Sequence, residues 1–143
     1  MAEPQSAVPI GIAVVEQQGR YLVGRRAAGS PLPGQAEFPG GKCHPGESSG
    51  VCARRECLEE TGLQVVTVDL LMRRTFTYPH ATLDLSFWLC RPADPASISD
   101  NHRDYRWIPR EELATLNFPE ANRPLIEVLV KWPPDQRLSP HTG

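Results

Sequence analysis

Several features of other protein classes are missing from this 143-residue chain. The net charge is only −2, which gives no basic field for holding a long nucleic acid. The chain does not open with the charged and apolar segments of a signal peptide, and no apolar run approaches the roughly 20 residues that span a membrane. We therefore expect a soluble, cytoplasmic protein with neither a membrane nor a nucleic-acid polymer as partner.

The four cysteines, Cys43, Cys52, Cys57 and Cys90, form no C-x-x-C pair. A zinc site built from Cys43, His44, Cys52 and Cys57 is conceivable, but the spacings of 9 and 5 are not those of a zinc knuckle. A disulfide framework is not expected in a reducing compartment. We therefore favour free, mostly buried thiols.

Internal repeats, linkers and a second domain are also missing. The length suits one domain with a sizeable core, and the 40% hydrophobic and 22% charged residues are ordinary for a globular protein. We expect a single domain over residues 8–132, with flexible tails at residues 1–7 and 133–143.

Five segments carry the β-branched or alternating patterns that predict strands, namely 8–16, 20–25, 64–78, 82–91 and 105–108. The fourth has its leucines and Phe87 on one face, and the other face reads as that of a half-solvated antiparallel strand. Three helices are predicted. The first spans 48–61, the second begins with Pro109 as its first residue, and the third runs from 122 or 123 to 132. The apolar stripe of that last helix is Leu125, Ile126, Leu129 and Val130. These elements predict an α+β fold with helices flanking a mixed sheet.

Three glutamates, Glu56, Glu59 and Glu60, stand at i, i+3 and i+4, so a helix places their carboxylates on one face. Like charges at this spacing cost a few tenths of a kcal/mol per pair. Hard oxygen ligands on one face suit Mg2+ or Mn2+ shared with substrate phosphates. The alternative is a solvated acidic face, but the glycine-rich loop before the helix and Gly62 after it favour a metal-phosphate site.

The run from Gly41 to Leu63 resembles the Nudix box, G-x5-E-x7-R-E-U-x-E-E-x-G-U, where U is a bulky aliphatic residue. Every fixed position matches: Gly41, Glu47, Arg55, Glu56, Glu59, Glu60 and Gly62. Cys57 departs from the first U, where a buried thiol serves as a small hydrophobe. Seven matches by chance are expected on the order of once in a million short chains. The resemblance implies the Nudix fold, an α/β/α sandwich with a mixed central sheet.

The resemblance also implies a metal site. Glu56 and Glu60 would be the core ligands for Mg2+ (or Mn2+), with Glu59 sharing the site and the Gly40 carbonyl adding a backbone ligand. A further ligand from a later loop occurs in some members, and Asp100 is the nearest candidate here, in competition with its neighbours.

The same resemblance assigns the remaining roles in the box. Arg55 is the arginine that orients a glutamate by ion pairing, and Glu47 has a structural or basic role at the junction of loop and helix. The residue that acts as general base varies across the family, and we favour Glu56.

Segments outside the box, GRRAAGSPLPGQAEFPGGK and NFPEANRPLIEVL, are similar to the MutT type, which removes 8-oxo-dGTP. This similarity implies that Asn122 reads the purine edge and that Arg25, Phe38 and Tyr78 contact the nucleotide. Structural roles remain open: Asn122 can cap the last helix, Phe38 can be core and Arg25 a surface cation. Ala81 stands where an arginine is expected, which removes one possible base contact.

The resemblance therefore implies a Mg2+-dependent pyrophosphohydrolase for a small nucleotide, with 8-oxo-dGTP sanitation and hence DNA repair as the leading function. A modified pyrimidine triphosphate or a nucleotide sugar is the alternative substrate. A non-catalytic nucleotide-binding module is the alternative of another class, and the intact box carboxylates argue against it. The sequence leaves monomer and homodimer equally open.

Overall fold

The computed structural model describes residues 7–26, 29, 34–99 and 101–131, and most of both expected tails lies outside these residues. The eight strands are β1 (Val8–Gln17), β2 (Arg20–Arg25), β3 (Ala36–Glu37), β4 (Gly40–Lys42), β5 (Val65–Tyr78), β6 (Ala81–Pro92), β7 (Asn101–His102) and β8 (Tyr105–Pro109). The α-helices are α1 (Ser49–Thr61) and α2 (Arg123–Lys131), and short 3-10 helices span Pro95–Ser97, Arg110–Thr115 and Glu120–Asn122. None of the described helices has the length and apolar character needed to cross a lipid bilayer.

The strands form one mixed sheet in the order β5-β6-β1-β2-β8-β7, with β3 beside β2 and β4 beside β1. Strand β1 is the central element of the sheet. It runs parallel to β6, from Val8 opposite Leu83 to Val15 opposite Cys90, and antiparallel to β2 and β4. The first two strands form an antiparallel hairpin, and the predicted mixed sheet is confirmed.

Alternate residues of β1 enter two separate hydrophobic cores, because side chains of a strand alternate between its faces. Ala13 and Val15 pack on the α1 side with Ala53 and Cys57 of the helix. The opposite core contains Val14 together with residues of α2, which are Leu125, Ile126 and Leu129. A helix therefore covers each face of the sheet, which confirms the predicted α/β/α arrangement.

Helix α1 begins and ends where the sequence predicts. The Ser48 hydroxyl accepts a hydrogen bond from the Val51 amide at 3.3 Å, which caps the N-terminus. At the other end Gly62 has φ 76°, and its amide donates to the Leu58 carbonyl. This left-handed conformation costs glycine little, so both ends of the carboxylate-bearing helix are fixed locally.

The prediction that one face of β6 is half-solvated is wrong. Ser86 is buried, and the Trp88 indole donates a hydrogen bond to the Ser49 hydroxyl at 2.9 Å. Helix α1 therefore covers the face that the alternating pattern suggested was open to solvent. In addition, β6 is antiparallel only to β5, because its other neighbour β1 is parallel to it.

The C-terminal elements correct two further details. Pro109 is the last residue of β8 and the cap of a 3-10 helix over Arg110–Thr115, not the first residue of an α-helix. Helix α2 begins at Arg123 as expected, but Val130 is 36% exposed and lies outside its buried stripe. Residue 132, the predicted end of the helix, lies outside the described residues.

Helix α1 lies unusually close to β1 at Gly11. A Cβ atom at Gly11 would lie 2.6 Å from the Ser49 carbonyl oxygen and 2.8 Å from the Ala53 amide nitrogen. These are backbone atoms of the helix, which cannot move aside as a side-chain end can. Glycine at this position therefore sets the distance between the helix and the sheet.

We expect Gly11→Ala to lower the free energy of unfolding by about 1–3 kcal/mol, as overpacking of a dense core does. Urea unfolding at equilibrium measures the change. Gly29→Ala is the matched control, because a Cβ there meets nothing within 4 Å. Equal stability of the two variants would contradict the close approach of α1 to β1.

Candidate active site

Glu47 and Arg55 form a two-point ion pair that joins the loop before α1 to the middle of the helix. Arg55 Nε donates to Glu47 Oε2 at 2.7 Å and Nη2 donates to Oε1 at 2.9 Å. The hydrogen bond from Arg55 and one from the His44 amide lower the pKa of Glu47 to about 2. Both groups therefore stay charged at neutral pH, and Glu47 fixes the arginine in place.

Arg55 also contacts the next two carboxylates of the helix. Its Nη1 lies 3.4 Å from Glu56 Oε2 and 3.1 Å from Glu59 Oε2, and its Nη2 donates to the Lys42 carbonyl at 3.1 Å. The side chain of Glu59 is 56% exposed, whereas that of Glu56 is only 16% exposed. Arg55 is thus the common partner of the acidic helix face, and Glu59 lies at its solvent edge.

Glu56 and Glu60 are neighbours, and the pair is electrostatically unfavourable. Burial raises the pKa of Glu60 to about 7, and the charge of Glu56 adds to the shift, while hydrogen bonds from Tyr105 and the Gly40 backbone oppose it. The structure therefore brings Glu56, Glu60 and Gly40 together. Two acidic groups in a partly buried place, one with a raised pKa, are a frequent feature of functional sites.

The β4 backbone packs directly against the Glu56 carboxylate. A Cβ atom at Gly41 would lie 2.6 Å from Glu56 Cδ, with Oε2 nearer still. The first glycine of the box therefore leaves the space that this carboxylate occupies. Local sequence spacing puts Glu56 on the helix, and the missing side chain at Gly41 allows its carboxylate to pack against β4.

Two residues of the site, Glu37 and Tyr105, were missed by the sequence analysis. The Tyr105 hydroxyl donates to Glu60 Oε1 at 2.7 Å and lies 3.2 Å from Glu37 Oε2. Glu37 in turn lies 3.4 Å from Arg26 Nη1. The ring of Tyr105 packs where Gly24 has no side chain, since a Cβ there would lie 2.7 Å from it. These contacts join residues 45 and 68 positions apart, so no local motif reveals them.

The residues predicted to contact substrate lie around the ends of β2, β3 and β5. Arg25 is exposed and pairs in register with Ala36. Phe38 is buried and stacks on Phe118 with ring centroids 4.9 Å apart, so its ring belongs to the hydrophobic core. Tyr78 is half-buried, and its pKa is raised by burial and by the nearby charge of Glu120, against the effect of Arg26 and Arg74.

Asn122 is the last residue of the 3-10 helix that precedes α2. Its amide nitrogen donates to the Pro119 carbonyl at 2.9 Å. Within the described part of the chain, its half-buried side chain makes no hydrogen bond. The structure therefore gives no support to the capping role, and the side-chain amide is available to a ligand.

The cysteines divide into two groups. Cys57 and Cys90 are buried in the core on the α1 side, whereas Cys43 and Cys52 lie close to Glu47. The structure therefore does not assemble the zinc site of Cys43, His44, Cys52 and Cys57, because Cys57 lies in the core and the group that meets is Cys43, Glu47 and Cys52. Burial raises the pKa of Cys52 to about 12. Asp100, the candidate for a further metal ligand, lies outside the described residues.

Comparisons with known proteins identify the family and the fold. A family model described as NUDIX domain matches residues 11–128. The 8-oxo-dGTP diphosphatase of Escherichia coli (strain K12) is 28% identical over 122 residues, covering 85% of this chain and 94% of the relative. The CTP pyrophosphohydrolase of the same organism is 25% identical over 123 residues, covering 86% and 91%. A crystal structure of a MutT protein from Methanosarcina mazei Go1 superimposes with a TM-score of 0.72 at 24% identity, covering 88% of this chain and 94% of that one.

Proposed function

This chain belongs to the NUDIX family and is a hydrolase of acid anhydrides in nucleotides, and from this premise we propose that it cleaves a nucleoside triphosphate to the monophosphate and pyrophosphate with Mg2+. We propose an oxidised purine nucleotide such as 8-oxo-dGTP as the preferred substrate. The observation that carries the proposed hydrolysis is the pairing of Glu56 and Glu60 beside Gly40, with the pKa of Glu60 raised to about 7.

The donor chemistry of this pair fits Mg2+. Two carboxylates of low exposure offer hard oxygen ligands, and Glu59 lies on the same helix within reach of Arg55. A cation would relieve the repulsion that contributes to the raised pKa of Glu60. When bound by Glu56 and Glu60, Mg2+ supplies a Lewis acid that polarises phosphoryl oxygens and acidifies water.

The residues of the chain prepare this site for hydrolysis. Arg55, held by Glu47, fixes the position of Glu56, which we propose accepts the proton of the attacking water. Tyr105 donates to Glu60 and so orients that carboxyl. The reaction consumes one water, breaks one phosphoanhydride bond and releases pyrophosphate. Positioning of both carboxylates is what this network contributes.

Substrate preference is proposed to depend on Asn122. A side-chain amide offers two N–H donors and one carbonyl acceptor, and 8-oxoguanine carries both donors and acceptors at its edge. Tyr78 supplies a half-buried aromatic ring, and exposed Arg25 supplies charge for the phosphates. The name of the Escherichia coli relative supports an oxidised purine.

A modified pyrimidine triphosphate is the second candidate. The CTP pyrophosphohydrolase covers as much of this chain as the 8-oxo-dGTP diphosphatase does, at 25% against 28% identity. Ala81, at the end of the β5-β6 turn, offers no hydrogen bond to a base. A pocket with fewer polar contacts discriminates less between bases.

The test is pyrophosphate release with Mg2+ across a panel of 8-oxo-dGTP, dGTP, modified pyrimidine triphosphates and ADP-ribose. We expect kcat/KM for 8-oxo-dGTP to exceed that for dGTP by at least about 100-fold, since recognition of a polar edge gives large discrimination. Higher turnover of a pyrimidine nucleotide would reject the purine assignment but keep the hydrolase. No turnover of any substrate would favour the non-catalytic binding module.

Asn122→Ala is expected to lower the preference for 8-oxo-dGTP over dGTP by about tenfold, because the amide no longer bonds the base edge. The effect should appear mainly in KM, while generic triphosphate hydrolysis continues. Asn117→Ala is the matched control, since Asn117 is an exposed asparagine five residues earlier. Unchanged preference in Asn122→Ala would remove the base-reading role.

A further inference from the structure

A second set of ligand atoms lies at the start of α1, next to the Glu56–Glu60 pair, since Arg55 contacts both Glu47 and Glu56. The sulfur atoms of Cys43 and Cys52 and a carboxylate oxygen of Glu47 all lie within 4.8 Å of one another. Among the described residues, no other three His, Cys, Asp or Glu side chains meet this closely. Two thiols and a carboxylate make a soft, mixed donor set that differs from the all-oxygen pair.

Backbone contacts hold the two cysteines in this arrangement. The Cys43 amide donates to the Pro9 carbonyl at 2.9 Å, which ties the loop after β4 to β1. The Cys52 thiol donates to the Gly41 carbonyl at 3.3 Å, and its Cβ lies against Gly11. The close approach of α1 to β1 therefore brings Cys52 to the loop, and the site is preformed by the fold.

The cluster opens into a cavity of about 260 Å3 that includes Cys43 and Glu47 in its wall. Ser49, Asp84 and Ser86 also line this cavity. Asp84 is bound by Arg73, with hydrogen bonds of 3.0 and 2.7 Å. A hydrated cation thus has a polar route to the Cys43 thiol and to Glu47, and Cys52 lies buried behind them.

We propose that Cys43, Cys52 and Glu47 form a binding site for a thiophilic divalent cation of the Zn2+ class, with the fourth position open to the cavity. Tetrahedral Zn2+ with Zn–S bonds of about 2.3 Å needs sulfur atoms about 3.8 Å apart, so a small closure of the cluster suffices. Binding releases the two thiol protons to solvent. Mg2+ takes hard oxygen ligands, so this cluster and the Glu56–Glu60 pair select different metals.

Occupation of the cluster would act on the catalytic helix through Glu47. That carboxylate now binds Arg55 at two points, and a cation that takes one of its oxygens weakens this pair. Arg55 in turn contacts Glu56 and Glu59. Zn2+ is therefore an inhibitor at a site separate from the Mg2+ ligands; this consequence, unlike the binding itself, rests on the proposed hydrolase function.

Cadmium binding to the reduced full-length chain tests the site without reference to activity. With Mg2+ in excess, we expect a single Cd2+ to produce an ultraviolet thiolate-to-metal charge-transfer band, and native mass spectrometry to show one retained Zn2+. Cys43→Ser should weaken Cd2+ binding by at least about tenfold. Cys90→Ala, which removes a buried thiol outside the cluster, should bind Cd2+ as the unmodified chain does.

Two results overturn the site: no thiolate band in the folded, reduced wild type, or equal Cd2+ affinity in wild type and Cys43→Ser. The first requires no variant, so a misfolded Cys43→Ser does not protect the proposal. Circular dichroism verifies the fold of each variant.

Inhibition is measured separately, as triphosphate hydrolysis at excess Mg2+ with added Zn2+. We expect reversible inhibition of the wild type and at least about tenfold lower sensitivity in Cys43→Ser. Equal sensitivity would place the inhibitory zinc at Glu56 and Glu60 and reject the regulatory consequence. A chain that binds Cd2+ but hydrolyses no nucleotide would refute the proposed function and leave the thiol site intact.

Discussion

Glu56→Gln is expected to reduce kcat/KM by about 1,000-fold, because one substitution removes both a metal ligand and the proposed general base. The amide keeps the size of the side chain but carries no negative charge. Among the described residues Glu56 has one ion-pair contact, at 3.4 Å from Arg55, so we expect the free energy of unfolding to change by less than about 1 kcal/mol. Steady-state kinetics and urea unfolding measure the two effects.

Glu127→Gln is the matched control for this experiment. Glu127 is exposed on α2, so the same chemical change there should leave both activity and stability at wild-type values. A Glu56→Gln variant with more than about a tenth of wild-type activity would exclude Glu56 as the base. Unfolding of Glu56→Gln would show that the carboxylate is mainly structural.

The second large effect is expected for Gly41→Ala, a substitution that does not change any charged group. The new Cβ would occupy the space of the Glu56 carboxylate. This carboxylate is the end of a flexible side chain, so it moves aside and the fold is kept. A displacement of about 1 Å at a reacting group can cost about 100-fold in rate, and we expect kcat to fall by that amount.

Gly50→Ala in the same box separates this effect from a general response to added methyl groups. A Cβ at Gly50 meets Trp88 at 3.4 Å, which is ordinary contact, and alanine favours a helix over glycine. We expect Gly50→Ala to keep full activity. If Gly41→Ala also stays fully active, the packing of Glu56 against β4 does not position the carboxylate for catalysis.

Arg55 connects the two metal sites considered for this protein. It lies between Glu47, which belongs to the thiol cluster, and Glu56, which we propose as a ligand for Mg2+. The hydrogen bond to Glu47, with a further one to Glu59 and the nearby negative charges, raises the pKa of Arg55 above its usual value, so its positive charge is constant at all physiological pH values. A change at either site therefore reaches the other through one guanidinium group.

Much of helix α1 was predictable because its determinants are local. Ser48 caps one end and Gly62 the other, and the spacing of Glu56, Glu59 and Glu60 places them on one face. The pairing of Glu47 with Arg55 is also within eight residues. Short-range periodicity and capping chemistry suffice for such features.

Other features depended on elements that are distant in the chain. Tyr105 reaches Glu60 across 45 positions, and nothing in the residues around Tyr105 marks it as part of a site. The prediction of a half-solvated face on β6 was wrong for a related reason. The alternation of polar and apolar residues shows which residues share a face but not which element covers that face. Helix α1 covers that face through Trp88.

The sequence by itself determined the family, the limits of α1 and the set of acidic residues, since these depend on spacing along one helix. Only the tertiary structure decided that Glu60 is half-buried beside Tyr105, that Glu59 lies at the exposed edge, and that Cys43 and Cys52 meet. The meeting of the two cysteines results from the close packing of α1 on β1 and β4. Such packing depends on Gly11 and Gly41, because atoms of α1 occupy the space that their side chains would fill. The sequence alone does not show which element lies against a glycine.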